Sequence, residues 1–193
     1  MIIIGITGTL GAGKGTIVEY LVKQCGFKHY SVREYIGKEI IRRGKEINRD
    51  TLVEVANDLR AKNSPSFITD ELYKMAISNN ENAVIESIRT PGEIESLRRA
   101  KNFVLLAIDA PAETRYERII LRQSETDNVS KETFVQNEQR EMISSDPNKQ
   151  NLSACIRRAD FVLSNCGSRA DLYEQLDLIL KKLSINKSKN GNA

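Results

Sequence analysis

The sequence predicts an α/β fold in three layers, a five-stranded parallel sheet between helices, and three observations predict it. Short apolar runs rich in β-branched residues recur along the chain, helical stretches separate them, and a glycine-rich turn joins the first run to the first helix. Runs with no polar alternation are what strands buried on both faces look like. Strands that alternate with helices build parallel sheets, because each crossover has to carry the chain back across the sheet.

Taken in order, "MIIIGIT" is the first strand and "GFKHYSV" a weaker second, while "NAVIESI", "NFVLLAID" and "ADFVLSN" complete the five. Helices are expected over 14–24, 31–43, 48–62, 66–79, 91–101, 112–123, 130–145 and 168–184. From Ser31 to Asn80 three helical segments follow one another with no strand between, so 31–80 reads as a helical cap, with Ile36, Ile40, Ile47, Leu52, Val55 and Leu59 as its core. The polar stretch 123–151 holds one clear helix and reads as a lid. Residues 1–184 form one domain in this reading, and the polar end, 185–193, is a disordered tail.

Composition narrows the function classes. A chain of 193 residues with 40% hydrophobic content suits one domain with an ordinary core. Its 29 basic and 26 acidic residues are spread along the chain, so nothing calls for nucleic acid or a membrane surface as partner. Cys25, Cys155 and Cys166 lie far apart with His29 as the one histidine, which reads as a reducing, cytoplasmic setting without zinc. The apolar start, Met1 to Ile4, is too short for a signal or a membrane span.

The chemistry sits in "GITGTLGAGKGTI", Gly5 to Ile17. It nearly spells G-x-x-x-x-G-K-[ST], between a strand and a helix as that motif requires. Glycines let backbone N–H groups close around phosphate oxygens, and the helix N-terminus adds partial positive charge. Gly8, Gly11, Ala12, Gly13, Lys14, Gly15 and Thr16 are the candidate nucleotide-binding set, with Lys14 reaching the outer phosphates. Gly15 stands where Ser or Thr usually holds magnesium. One residue along a helix is a rotation of about 100°, so Thr16 should face the inner phosphate, and Mg2+ needs a carboxylate from elsewhere.

That variant loop, "GTLGAGKGT", resembles the G-x-x-G-x-G-K-G-T loop of nucleoside monophosphate kinases of the adenylate kinase type. "IESIRTPGEIESLRR" and "RRADFVLSNCGS" resemble segments of dephospho-CoA-kinase-like P-loop proteins, including a poorly characterised archaeal group, and the likeness covers most of 1–184. It implies a three-layer P-loop NTPase fold and an ATP-dependent kinase using Mg2+. Glu86, at the end of "AVIE", matches a family Asp and is the first candidate for the metal, with Asp109 the second. Arg89 matches the arginine that holds the acceptor's phosphate.

"RYERIILRQ" sets Arg115, Arg118 and Arg122 on one helix face, and the resemblance makes Arg118 and Arg122 clamps on the transferring phosphoryl group. Arg140 is a further lid candidate, though Asn137 stands where the family is basic. "HYSVREYI" resembles the acceptor-lining stretch and offers Ser31, Arg33 and Glu34. Dephospho-CoA kinases carry an aspartate near Ser31 as base for a ribose hydroxyl. Its absence favours an acceptor phosphate, which is already ionised, while Glu34 as a replacement base keeps transfer to a hydroxyl as the alternative. A switch GTPase is disfavoured for want of an N-K-x-D motif, and a nucleotide-binding regulator without turnover is the third class. The partner expected is a small nucleotide or nucleotide-like acceptor.

Overall fold

The structure, a computed structural model, describes residues 1–122 and 130–187. In chain order it runs β1 (Ile3–Thr7), α1 (Lys14–Cys25), β2 (Lys28–Ser31), α2 (Val32–Arg42), α3 (Arg49–Lys62), α4 (Phe67–Asn79) and β3 (Ala83–Glu86). There follow α5 (Pro91–Leu97), β4 (Phe103–Asp109), α6 (Ala112–Arg122), α7 (Lys131–Met142), α8 (Leu152–Arg157), β5 (Phe161–Ser164) and α9 (Arg169–Lys182). The five strands form one parallel sheet in the order β2-β3-β1-β4-β5, as the apolar runs predict.

Alternation along the strands divides the core between the two faces of the sheet. Ile4 and Ile6 point to one face and pack with Ile17 and Leu21 of α1 and Leu176 of α9. Ile3 points to the other and shares its core with Ile40 of α2, Val55 of α3, Ile68 of α4 and Ile94 of α5. The cap helices thus share one core with the sheet. One residue of the expected cap core lies elsewhere: Ile47 is exposed, while Leu52 packs against this core and also faces a cavity.

Further differences have local causes. Helix α8 has no counterpart among the expected helices, because six residues carry too little periodicity to read; Asn151 caps it through Ala154 N, and Leu152 and Cys155 bury it. Of the expected tail, Ile185 packs on the α1–α9 core and Lys187 pairs with Asp177 at 2.7 Å. The rest of the tail, 188–193, and the lid residues 123–129 lie outside the described residues. The register places Ser31 beside Glu86, and Asp109 beside Ser164, at the carboxyl ends of their strands. Strand order reverses about β1, so the crevice of such a sheet opens beside the loop that follows β1.

Candidate active site

That loop has the backbone that glycine permits. Gly13 sits at φ 103° as the N-cap residue of α1, and a Cβ there would meet Asn165 Nδ2 at 2.2 Å. Gly8, at φ 136°, passes so close to Ile108 that a Cβ would stand 2.4 Å from its carbonyl oxygen. Asn165, just past β5, donates to Ala12 O at 2.8 Å and so fastens the loop to the sheet's far half. Gly15 differs from the others, for nothing lies within 4 Å of an added Cβ.

The loop walls a cavity of about 610 Å3 at the carboxyl edge of the sheet. Lys14 lies in it, its ammonium donating to Gly8 O and Thr9 O at 2.8 Å each. Burial away from water lowers its pKa to about 7, and Arg89 adds to the fall, against a smaller pull upward from Glu86. Glu86 ends β3 in the same cavity, half-buried, with His29 Nε2 3.3 Å from its carboxylate. Burial pushes the Glu86 carboxyl up, but His29 and Lys14 outweigh it and leave it below its ordinary value, hence ionised. The chain then turns sharply through Ser87, a non-glycine residue at φ 71°.

Arg118 and Arg122 both line this cavity. Arg118 donates to Asn165 O at 2.9 Å, and its Nη1 is a buried donor without a partner among the described residues. Their helix neighbour Arg115 is not on a solvated face: it is buried, reaching Ala110 O at 2.8 Å and Leu10 O at 3.3 Å and pairing with Glu138 of α7. It ties the glycine loop to α7. Arg140 is exposed, paired with Asp50 and bonded to Asn137, away from the cavity wall.

The residues nominated for the second substrate divide. Arg33 and Arg89 line the cavity. Ser31 caps α2 by accepting from Glu34 N at 3.1 Å, and Glu34 is exposed and paired with Lys38 at 2.9 Å. Asp109 is exposed at the end of β4, its carboxylate accepting from Ala110 N, and it does not line the cavity.

Several lining residues are not among those the sequence nominates. One face of α3 presents Arg49, Leu52, Val53, Ala56 and Arg60, at i, i+3, i+4, i+7 and i+11, to the cavity. Arg60 is buried and donates through Nε (3.2 Å) and Nη2 (2.9 Å) to Glu93, which also accepts from Arg89 N and Thr90 N. Glu141, on α7, takes Arg49 on one oxygen and Arg89 on the other, 2.5 Å each, while Arg89 also reaches Gln150 at 2.7 Å. The spacing on α3 is the available signal, but apolar residues at that spacing read equally well as cap core. Glu141 carries no such signal, being one glutamate of several on a polar helix.

The family profile described as "AAA domain" matches residues 4–144. UPF0200 protein MJ1399 of Methanocaldococcus jannaschii is 32% identical over 192 residues, covering 98% of this chain and 94% of its own. UPF0200 protein TK1334 of Thermococcus kodakarensis is 28% identical over 193 residues, covering 95% of this chain and 100% of its own. Among solved structures, TT1252 from Thermus thermophilus superposes with a TM-score of 0.59 at 23% identity, covering 94% of this chain and 97% of that one. A shikimate kinase from Bacteroides thetaiotaomicron gives 0.58 at 13% identity, covering 95% and 98%. The chain belongs to the UPF0200 family and carries the AAA-domain, P-loop kinase-like fold.

Proposed function

We propose that this UPF0200 protein is an ATP-dependent kinase of a small nucleotide-like metabolite, a nucleoside monophosphate first. The observation that carries the reading is one cavity in which Lys14, Glu86, Arg89, Arg118 and Arg122 stand around the glycine loop. Phosphoryl transfer asks little covalent chemistry of a protein. It asks for cations fixed where charge spreads over the moving oxygens.

In this reading the loop from Gly8 to Thr16 holds the nucleotide's phosphates, and bound phosphate draws the proton back onto Lys14. Arg118 and Arg122 meet the transferring group, Arg118 with a donor to spare. The residues present fit Mg2+: an ionised Glu86 and the Thr16 hydroxyl share the cavity, and this cation keeps several of its waters. Bound there by Glu86 and the phosphates, it would neutralise charge on the oxygens that part. Arg89 and Arg33 serve the acceptor. Ser31 is committed to a helix cap and Glu34 to a surface ion pair, so neither is set to act as base toward a hydroxyl, which supports a phosphate acceptor.

Coupled ADP release with a panel of nucleoside monophosphates and dephospho-CoA tests this. Turnover with a monophosphate, lost in Lys14→Ala, is the expected outcome. Transfer to dephospho-CoA alone replaces the acceptor assignment, and nucleotide binding without ADP release from any acceptor returns the chain to the regulator class.

A further inference from the structure

The second substrate's end of the cavity already holds an oxyanion of the protein's own. Glu141 is almost fully buried, with a different arginine on each carboxylate oxygen, Arg49 from the start of α3 and Arg89 from the turn after β3. Burial pushes its carboxyl up, and Arg89 with Arg49 outweighs that, so it stays charged. Helix α7 has little buried surface to hold it: Phe134 is its one buried apolar side chain and Glu138–Arg115 its other inward ion pair among the described residues, the remaining ion pairs being the exposed Lys131–Glu113 and Arg140–Asp50. The arginines offer more than Glu141 uses. Arg49 Nε is a buried donor without a partner among the described residues, and so, about three turns along α3 where Arg60 pairs with Glu93, is Nη1 of Arg60, whose side chain is 1% exposed. Between them the apolar Leu52, Val53 and Ala56 line the wall.

We infer that Arg49 and Arg89 form the subsite for an oxyanion of the acceptor, phosphate or carboxylate, and that Glu141 is a tethered stand-in which this group replaces. Two oxygens bridging two guanidinium groups is geometry common to a carboxylate and a phosphate. Displacement releases the carboxyl-terminal end of α7, so filling the subsite and moving the helix become one event. The apolar strip along α3 then accommodates a flat or aliphatic body. Calling the ligand an acceptor rests on the kinase reading; the subsite and its test do not need turnover.

The test is titration of the full chain with inorganic phosphate and, separately, acetate, followed by calorimetry and by amide hydrogen exchange over 131–142. A tethered competitor lowers apparent affinity by the fraction of time it occupies the site. Glu141→Ala should therefore tighten phosphate or acetate binding by about tenfold or more. Adding Arg49→Met should cancel that gain, which separates the subsite from the glycine loop. The oxyanion should speed exchange in α7 of the unmodified protein. Glu141→Gln, nearly isosteric, gives the same sign if the alanine variant folds poorly. Phosphate arms and acetate arms tell the two sources apart. Unchanged or weaker binding of both in Glu141→Ala, or slower α7 exchange with ligand, overturns the inference in favour of a glutamate that merely holds the arginines in place. Failure of ADP release alone would sink the kinase reading and leave these readouts standing.

Discussion

The two ends of the cavity are built in different ways. Around the glycine loop, function is written in backbone: positive φ at Gly8 and Gly13, a helix N-terminus aimed at the turn, and neighbours too close for any Cβ. At the other end it is written in side chains from distant segments, where α3, the turn after β3, α5 and α7 meet through Arg60–Glu93 and Arg49–Glu141–Arg89. The first kind of site depends on a few adjacent residues and tolerates no substituent at those two glycines. The second depends on charge pairs that fail when one partner goes.

The largest effect should fall on the side-chain end. Arg60 and Glu93 are 1% and 0% exposed, and Glu93 also fixes the backbone of Arg89 and Thr90. Arg60→Met keeps the volume and strands a buried carboxylate, so urea unfolding should show a loss of about 3–5 kcal/mol. A loss below about 1 kcal/mol, the range of exposed pairs, would mean that this end is held by packing instead.

Lys14→Ala is the counterpart at the backbone end, and it should leave the protein folded, because the buried ammonium it removes is itself a cost to stability, while turnover falls roughly hundredfold to thousandfold, the range for one lost electrostatic donor. A folded variant with near-normal ADP release would break both the comparison and the proposed function.

This contrast also decides how much of the molecule is legible in its amino-acid sequence. The five strands are legible because continuous β-branched runs admit few other readings, and the loop because its spacing is local. Arg118 and Arg122, i and i+4 on one helix, are legible for the same reason. Arg49, Arg60, Glu141 and Gln150 acquire meaning only through pairs 33 to 92 residues apart in sequence, which no periodicity records. Arg115 shows the limit of the local reading: the shared helix face groups it with Arg118 and Arg122, yet the glycine loop and α7 close over it. Ser31 and Asp109 stand at strand ends, where ligands bind in such sheets, but the Ser31 hydroxyl caps α2, and Asp109 accepts from Ala110 N and does not line the cavity.

A third effect, spread over several pH units, probes how the loop stores its charge. The Lys14 pKa is lowered by burial from 10.5 to about 7. Between those values the unfolded chain keeps a proton that the folded one has lost, so Lys14 makes stability rise with pH across this window, and its penalty is fully present below it. Lys14→Met removes the penalty. Its stability relative to the unmodified protein should be highest near pH 6 and fall by up to about 4 kcal/mol by pH 10, about 1.4 kcal/mol per pH unit between the two pKa values, as thermal unfolding across pH would show. The two hydrogen bonds to Gly8 O and Thr9 O are lost at every pH and shift only the baseline. A pH-independent difference would mean that Lys14 keeps its proton and is better solvated than its surroundings imply.

The smallest effect on stability should come from the one loop glycine that geometry does not require. Gly13→Ala would have to push Asn165 Nδ2 away from 2.2 Å and hold φ 103°, a conformation that costs an L-residue about 1 kcal/mol or more before any clash. Gly15 lies two residues on, inside the first turn of α1, with open space around an added Cβ. Serine is a better helix former than glycine, so Gly15→Ser should leave stability within about 0.5 kcal/mol of the unmodified protein or slightly above it. What it adds is a hydroxyl in the cavity, beside Lys14, where this loop otherwise offers none until Thr16. If Gly15 is there to leave room for phosphate and metal, the variant should fold normally and change its Mg2+ dependence in the ADP-release assay. Lost stability would show that the first turn of α1 is tighter than its geometry indicates, and unchanged metal dependence would return Gly15 to a bystander. Gly13→Ala measured alongside supplies the scale, because the same loop then contains one glycine held by backbone and another kept for the ligand.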